Sequence, residues 1–289
     1  MRLFKVLAVF AVVAVSASAF AADDFTVNPF VRFQMASEFV GPNTMSHDFD
    51  LSGITLEKKF GDNLSIVATP GFMRKNMITG AAAVAGTNNT VDFVLVNGYF
   101  KIHDLTSCCG DYGLALTVGQ FESPMYLTEQ YYQPFRFIRN SIDSTLMPNN
   151  YVEMGAMLAQ SYFDESIVAS LIYSSGRGMW NGFNNPADTL GNAGAFILNA
   201  TFAPFKTFDN EALKELALTI NWKALNRTTE RSNYNLLLGY KYAGFATSLE
   251  YVGTYSKNND ANQIKAMSFG ASYDVWKNLQ PLVRWDYAD

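Results

Sequence analysis

Hydrophobic and polar residues alternate along this chain with a period of two, in one segment after another. In residues 233–242, one alternating set is aliphatic with tyrosines at its ends, and the other holds two asparagines, a leucine, a glycine and a lysine. Successive side chains of a strand point to opposite faces, so this period predicts β-strands with one apolar and one polar face. The same alternation is found in residues 91–103, 151–163, 193–204, 214–224 and 264–276.

Thirteen segments have the composition of strands and follow one another nearly end to end. They are residues 26–37, 50–60, 64–75, 91–103, 113–121, 151–163, 166–175, 193–204, 214–224, 232–243, 245–256, 264–276 and 279–288. Strands of soluble sheets usually have about five or six residues. A tilted strand that crosses a bilayer needs about 9–11, which is the length that these segments approach.

The connections between the segments alternate between tight and long. Tight connections are residues 61–63, 164–165, 243–244 and 277–278, and long ones are residues 38–49, 76–90, 122–150 and 176–192. Short turns at one rim and long loops at the other are typical of outer-membrane barrels. We therefore predict an all-β fold, a transmembrane antiparallel up-and-down β-barrel of porin type that forms one domain over residues 22–289.

The number of strand segments is odd, whereas bacterial single-chain barrels have an even number of strands. We expect a barrel of about 14–16 strands, with the last one to three strands lacking from the given chain. The alternative is that the count of segments is wrong by one.

A soluble β-sandwich or barrel, with its apolar faces turned inward, would show the same alternation. Long strands, an N-terminal leader and the placement of aromatic residues favour the membrane interpretation. The aromatics near the ends of the apolar faces are Phe60, Tyr162, Phe202, Trp222, Tyr234, Tyr240, Tyr242, Tyr273 and Trp285. Such rings settle at the boundary between headgroups and hydrocarbon. The polar faces are also poorer in charge than soluble surfaces usually are.

Residues 1–21 have the features of a cleaved signal peptide. Arg2 and Lys5 precede an apolar run over residues 6–15, and Ala19 and Ala21 form a cleavage site, with cleavage after Ala21 expected and after Ala19 as the alternative. A membrane anchor would need about 20 uninterrupted apolar residues. Loss of Arg2 and Lys5 changes the net charge from −5 to −7, and no basic cluster is present, which argues against a nucleic-acid partner.

The longest connection, residues 122–150, predicts a narrowing of the pore. Arg136 and Arg139 lie three residues apart among aromatic side chains, with Glu122 and Glu129 upstream and Glu153 in the next strand. Folded into a lumen, this loop would oppose arginines to carboxylates and create a transverse field that selects solutes by size and charge. The alternative is a surface loop that covers the mouth of the barrel.

The polar faces carry charged residues of both signs, which we expect to line the pore. The basic ones are Arg32, Lys59, Lys101, Lys223, Lys241 and Arg284, and the acidic ones are Glu38, Glu57, Glu153, Glu250, Asp274 and Asp286.

The sequence LTVGQFESP, followed by EMGAML and LIYSSGRG, resembles the outer-membrane porin superfamily and is most similar to its phosphate-selective porin O and P group. The matching positions are Val118, Gly119, Gln120, Phe121, Pro124, Glu153, Met154, Gly155, Ser175 and Gly176. The resemblance implies a homotrimer of barrels in the bacterial outer membrane that passes small hydrophilic solutes or ions passively. Two features depart from that group: the charges of the polar faces are mixed, and the chain ends in Asp289 rather than an aromatic residue. Phosphate specificity is therefore not carried over.

Residues for covalent or metal chemistry are sparse. The two histidines, His47 and His103, have no ligand spacing, and no phosphate loop or dinucleotide motif occurs. We expect no cofactor, no metal and no enzymatic activity. Cys108 and Cys109 are compatible with a vicinal disulfide, two free thiols or a bridge to another chain. The predicted function is that of a porin; the alternatives are a non-conducting barrel that acts as anchor or adhesin, and a barrel enzyme that uses His103.

Overall fold

A computed structural model describes residues 25–37, 45–74, 91–105, 113–133, 152–174, 194–225, 231–256, 264–275 and 280–289. The predicted signal peptide, residues 1–21, lies outside these ranges, as do Cys108 and Cys109. None of the helices in the described ranges is both long enough and apolar enough to span a bilayer.

The described residues form thirteen strands and two helices. The strands are β1 (Phe25–Ser37), β2 (Met45–Phe60), β3 (Leu64–Arg74), β4 (Val91–Ile102), β5 (Leu114–Glu122), β6 (Val152–Tyr162), β7 (Ile167–Ser174), β8 (Ala195–Phe202), β9 (Ala217–Leu225), β10 (Arg231–Tyr242), β11 (Phe245–Ser256), β12 (Lys265–Tyr273) and β13 (Leu282–Ala288). Helix α1 is Pro124–Tyr132 and the short helix α2 is Glu211–Lys214.

All thirteen strands belong to one sheet in which each strand pairs with its neighbours in sequence. Every strand pair is antiparallel, so the sheet is an up-and-down meander. This confirms the predicted fold class, and each of the thirteen predicted segments corresponds to one strand. The expected total of about 14–16 strands stays a prediction.

The two faces of the sheet have the opposite of the exposure found in soluble proteins. In β9 the side chain of Ile220 is 47% exposed, whereas that of its neighbour Thr219 is 0% exposed. Buried polar residues of the inner face include Ser65, Thr69, Thr117, Ser170, Asn199, Asn221, Asn235, Ser248, Ser268 and Ser272. Exposed apolar residues of the outer face include Phe100, Leu158, Leu171, Leu198, Leu236, Leu249 and Phe269. An apolar exterior around a polar interior is the pattern of a transmembrane barrel.

Aromatic side chains mark one edge of the apolar exterior. Phe60, Phe202, Tyr242 and Tyr273 are the last residues of β2, β8, β10 and β12, and all four are exposed. These strands end at the same rim, which also carries the turns at residues 61–63, 163–166 and 243–244; we call it the tight-turn rim. The opposite edge is the long-loop rim. Because aromatic rings favour the membrane interface, the row of rings defines one boundary of the apolar band.

The structure departs from the predicted strands at several places, and three of them lie in β2, β4 and β9. Strand β2 begins at Met45, so the connection after β1 is shorter than residues 38–49. Strand β9 begins at Ala217 because α2 occupies residues 211–214. In β4, the alternation over residues 91–103 predicts that Val96 faces outward with Phe100. This prediction is wrong, because a register shift between Thr69 and Pro70 turns Val96 inward and exposes Leu95. A strict period of two cannot anticipate such a bulge.

Candidate functional site

The end of β5 is shaped by the motif that carries the family resemblance. Gly119 has a φ of +131°, and a Cβ there would lie 2.3 Å from the carbonyl oxygen of Gly98. The Gln120 side chain donates hydrogen bonds to the carbonyl oxygens of Leu95, at 2.6 Å, and Val96, at 2.8 Å. Backbone pairing of β4 with β5 stops at Gln120, so this side chain satisfies carbonyls of the bulged strand that the ladder leaves free.

Other motif residues contribute to the packing of the inner face and to the start of α1, the helix that follows β5. Phe121 packs on Ile172 and Ile197 in a buried cluster of the inner face. A Cβ at Gly155 would lie 1.9 Å from the carbonyl oxygen of Tyr173, so only glycine allows β6 and β7 to approach there. Pro124 is the first residue of α1, a position that proline favours because its missing N–H is not needed.

Helix α1 lies inside the barrel. It follows β5, yet it contacts the inner faces of β9, β10 and β11, four to six strands away in the sheet. Met125 and Tyr132 of the helix pack with Ala217 and Leu237 of the wall in one buried cluster. The Tyr132 ring occupies the space above Gly239, where a Cβ would lie 2.2 Å from its Cγ atom. The glycine therefore creates the seat for the helix.

Polar contacts fix the last turn of α1 near the tight-turn rim. The Tyr131 hydroxyl donates to an Oε2 atom of Glu215 at 2.6 Å. The Nζ atom of Lys241 lies 4.5 Å from the centre of the Tyr131 ring, within the range of a cation–π contact. Burial, together with the hydrogen bond to Glu215, raises the pKa of Tyr131 to about 12. The phenol therefore stays neutral and continues to donate near neutral pH.

A second polar network joins α1 to the wall at Glu250. The Gln133 side chain donates to Oε2 of Glu250 and the Asn235 side chain donates to its Oε1, both at 3.0 Å. The Asn235 amide also lies 3.5 Å from Oε1 of Glu129. All four side chains are buried. The carboxylates of Glu129 and Glu250 thus come close together where the helix meets the wall. The side-chain amides of Gln133 and Asn235 supply hydrogen-bond donors there, which offsets the free-energy cost of burying charge.

Glu153 and Lys223 form a buried ion pair across the inner wall. Oε1 of Glu153 lies 2.9 Å from Nζ of Lys223, and their side chains are 1% and 4% exposed. The Ser174 hydroxyl donates to Oε2 of Glu153 at 2.5 Å. The lysine is on β9 and the glutamate on β6, so the lysine side chain spans two intervening strands. This pair fixes the wall and contributes little free charge to the bore.

The predicted constriction residues, and some of the predicted pore-lining ones, have different places in the structure. Arg136, Arg139 and Glu38 lie outside the described residues, and for Arg32 only the backbone of β1 is described. Glu122 is half-buried at the end of β5. Glu129 is on the face of α1 that packs against the wall, and Glu153 is paired with Lys223. Two charged residues that the sequence predicted to line the pore, Glu153 and Lys223, thus form one buried ion pair.

The other predicted pore-lining residues lie on the inner face. Lys59 and Lys101 both lie opposite the buried Ser65. Arg284 donates to Asp286 on β13 at 2.8 Å. Residues that the sequence did not point to are Tyr131, Tyr132, Gln133, Asn235 and Gly239. The one available signal was Gly239, a glycine in the middle of a strand, which often marks the close approach of another group.

Comparisons with known proteins give likeness in structure alone. No family model matches the chain, and no curated protein matches it. A loop-deletion mutant of OmpT, an outer membrane protein of Vibrio cholerae, superposes with a TM-score of 0.54 at 12% identity, covering 92% of this chain and 82% of that one. The trimer form of OmpT, folded in vitro, gives 0.52 at 11%, covering 92% and 78%. Salmonella typhi OmpF gives 0.49 at 12%, covering 91% and 89%.

The sheet, its inverted faces and the likeness to the OmpT structures show the fold of the protein. It has the fold of bacterial outer-membrane β-barrels, of porin-like type. Identities this low show the fold alone, and a particular resemblance to the phosphate-selective group is not shown.

Proposed function

We propose that the protein is an outer-membrane porin through which small hydrophilic solutes or ions diffuse passively. The observation that carries this proposal is a polar inner face with a helix of the longest connection seated against one wall. A helix of nine residues is about 13 Å long. Placed within the bore, it narrows the path without the barrel having to change its strand number.

The charge distribution supports selection by charge. Lys59 and Lys101 lie on β2 and β4, whereas the carboxylates of Glu129 and Glu250 lie on α1 and β11, far away in the strand order, and we propose that the two groups face each other across the bore. Positive and negative groups on facing walls produce a field across the bore. Arg136 and Arg139 follow α1 in the sequence, and we propose that they add to the positive side of the narrowing.

Arg136 and Arg139 provide the test of this selectivity. Changing both to alanine is expected to move the reversal potential in a salt gradient toward cation preference, because two positive charges leave the narrowing. The measurement is made on the reconstituted protein in planar bilayers, beside the unaltered protein and a Lys206→Ala variant, whose lysine is on an exposed ion pair outside the bore. An unchanged reversal potential would show that these arginines do not contribute to ion selectivity in the pore.

The homotrimer is part of this proposal, as is targeting through a signal peptide at residues 1–21. The trimer form of the neighbouring OmpT structure supports the former. A second candidate is a non-conducting barrel that serves as anchor or adhesin. The well-packed contacts of Tyr132 and Leu237 favour it, because they fill part of the interior. The same bilayer recordings separate the two functions: stepwise conductance is expected of a porin, and its complete absence in folded protein would leave the anchor.

A further inference from the structure

Two lysines flank a buried serine on the inner wall near the tight-turn rim. Lys59 of β2 and Lys101 of β4 each lie directly opposite Ser65 of β3. Directly opposite residues of antiparallel strands share a face, with Cα atoms about 4.5–5.5 Å apart. The two lysine Cα atoms are therefore roughly 10 Å apart on either side of the serine, and their ammonium groups can reach a common point.

His103 completes this group. It follows β4, and its Nε2 atom lies 2.9 Å from Oγ of Ser65. Its backbone N–H donates to the carbonyl oxygen of Asn63 at 2.7 Å, which fixes the residue beside the turn at 61–63. A serine next to a histidine also resembles a nucleophile with its base, but Ser65 is only 2% exposed and so offers no approach to a substrate carbonyl.

Two lysine charges lie close to the imidazole. Neither Lys59 nor Lys101 forms an ion pair with another side chain in the described part of the chain. Burial lowers the pKa of His103, Lys101 and Lys59 lower it further, and the carboxylate of Glu57 opposes them. Asp62 and Asp104 lie in the adjoining connections. The imidazole is held at Ser65, the residue that the two lysines flank on the same face of the sheet.

We propose that Lys59, Lys101 and His103 form a binding site for a small oxyanion at the tight-turn mouth of the barrel, with Ser65 as the residue that positions the imidazole. Ammonium and imidazolium groups supply charge-assisted hydrogen bonds to sulfate, phosphate or carboxylate oxygens. Lys59 and Lys101 also contribute positive charge to the proposed pore, but Lys59 is exposed beside the turn at residues 61–63. Binding at this rim requires no passage through the pore and can therefore be tested separately from transport.

Anion binding is coupled to protonation of His103. A bound anion stabilises the imidazolium and raises its pKa, and by reciprocity the anion binds more tightly as the pH falls through that pKa. An anion in contact with the ring is expected to raise the pKa of His103 by about one unit, which corresponds to about tenfold tighter anion binding to the protonated form.

The chain has two histidines, which makes this coupling measurable by NMR of the imidazole nitrogens in folded protein in detergent micelles. Titrations are run in sodium sulfate and in sodium chloride of equal ionic strength, with acetate and phosphate as further arms. We expect sulfate to raise the pKa of His103 relative to chloride and to leave that of His47 unchanged. A response to acetate but not to sulfate or phosphate would narrow the ligand to carboxylates.

The variant Lys59→Gln/Lys101→Gln is expected to lose the response to sulfate and to show a higher His103 pKa in chloride, because the repelling charges are gone. The matched control Lys206→Gln/Lys265→Gln has the same net charge and is expected to respond like the unaltered protein. If the double variant does not fold, Lys59→Gln alone is measured instead, and its His103 pKa is expected to respond to sulfate less than that of the unaltered protein. An equal effect of chloride and sulfate, or a response that survives in the double lysine variant, would overturn the proposal.

Discussion

Changing Lys223 to methionine is expected to lower the free energy of unfolding by about 3–5 kcal/mol, because it leaves the carboxylate of Glu153 buried without its counter-ion. The pair is almost completely shielded from water, and a single serine hydroxyl cannot compensate for the lost charge. The measurement is urea-induced unfolding in lipid vesicles, followed by tryptophan fluorescence or by the shift of the folded band in electrophoresis.

Two variants serve as controls for Lys223. In Glu153→Gln/Lys223→Met both charges are removed, and most of the lost stability is expected to return because no charge stays buried alone. In Lys206→Met an exposed ion pair with Glu165 is lost, which is expected to cost less than about 1 kcal/mol. If Lys223→Met unfolds at the same urea concentration as Lys206→Met, the pair does not hold the wall together.

Changing Gly239 to valine is expected to displace helix α1 and to increase the single-channel conductance. The new side chain would occupy the place of the Tyr132 ring, which also packs with Leu237 and Ala217 of the wall in a buried cluster. Overpacking of this kind costs about 1–3 kcal/mol. Since the contact belongs to the helix and not to the strand ladder, we expect the barrel to stay folded while the bore widens.

A double-mutant cycle isolates this contact. Tyr132→Ala removes the ring and should itself raise the conductance by loosening the helix. In that background Gly239→Val is expected to add little, because the two substitutions act on one contact. Equal and additive effects of the two changes, or an unchanged conductance of Gly239→Val, would show that α1 does not narrow the path.

The strands could be predicted from the sequence because their signal is local. Each outward residue of β9 and β10 was assigned from the period of two alone, and the structure exposes Ile220 and Leu236 while burying Thr219 and Asn235. Among the described residues, the period fails where the backbone changes register, as at Leu95 and Val96. Two strand boundaries also differ from the prediction. Strand β9 begins later because α2 precedes it, and β2 begins earlier than expected.

The interior could not be predicted in the same way, because its contacts join residues far apart in sequence. Glu153 and Lys223 are separated by 70 positions, and Tyr131 and Glu215 by 84. Helix α1 was missed because its nine residues contain proline, tyrosines and glutamine without a clear apolar period; its seat at Gly239 stabilises it. The motif around Gly119 was noticed through resemblance, and its physical reasons became visible only in the structure.

The account depends on the direction in which each face of the sheet points, and adjacent positions of β6 test this most directly. Leu158 lies on the exposed apolar face, and Met157 lies opposite Thr117 on the inner face. Nitroxide labels are placed at Leu158→Cys or Met157→Cys in a background with Cys108 and Cys109 changed to serine. In lipid bilayers, we expect collisions with oxygen to dominate at position 158 and collisions with a water-soluble nickel complex at position 157. The reverse order, or a label at 158 shielded from both reagents, would contradict a lipid-facing exterior around a polar bore.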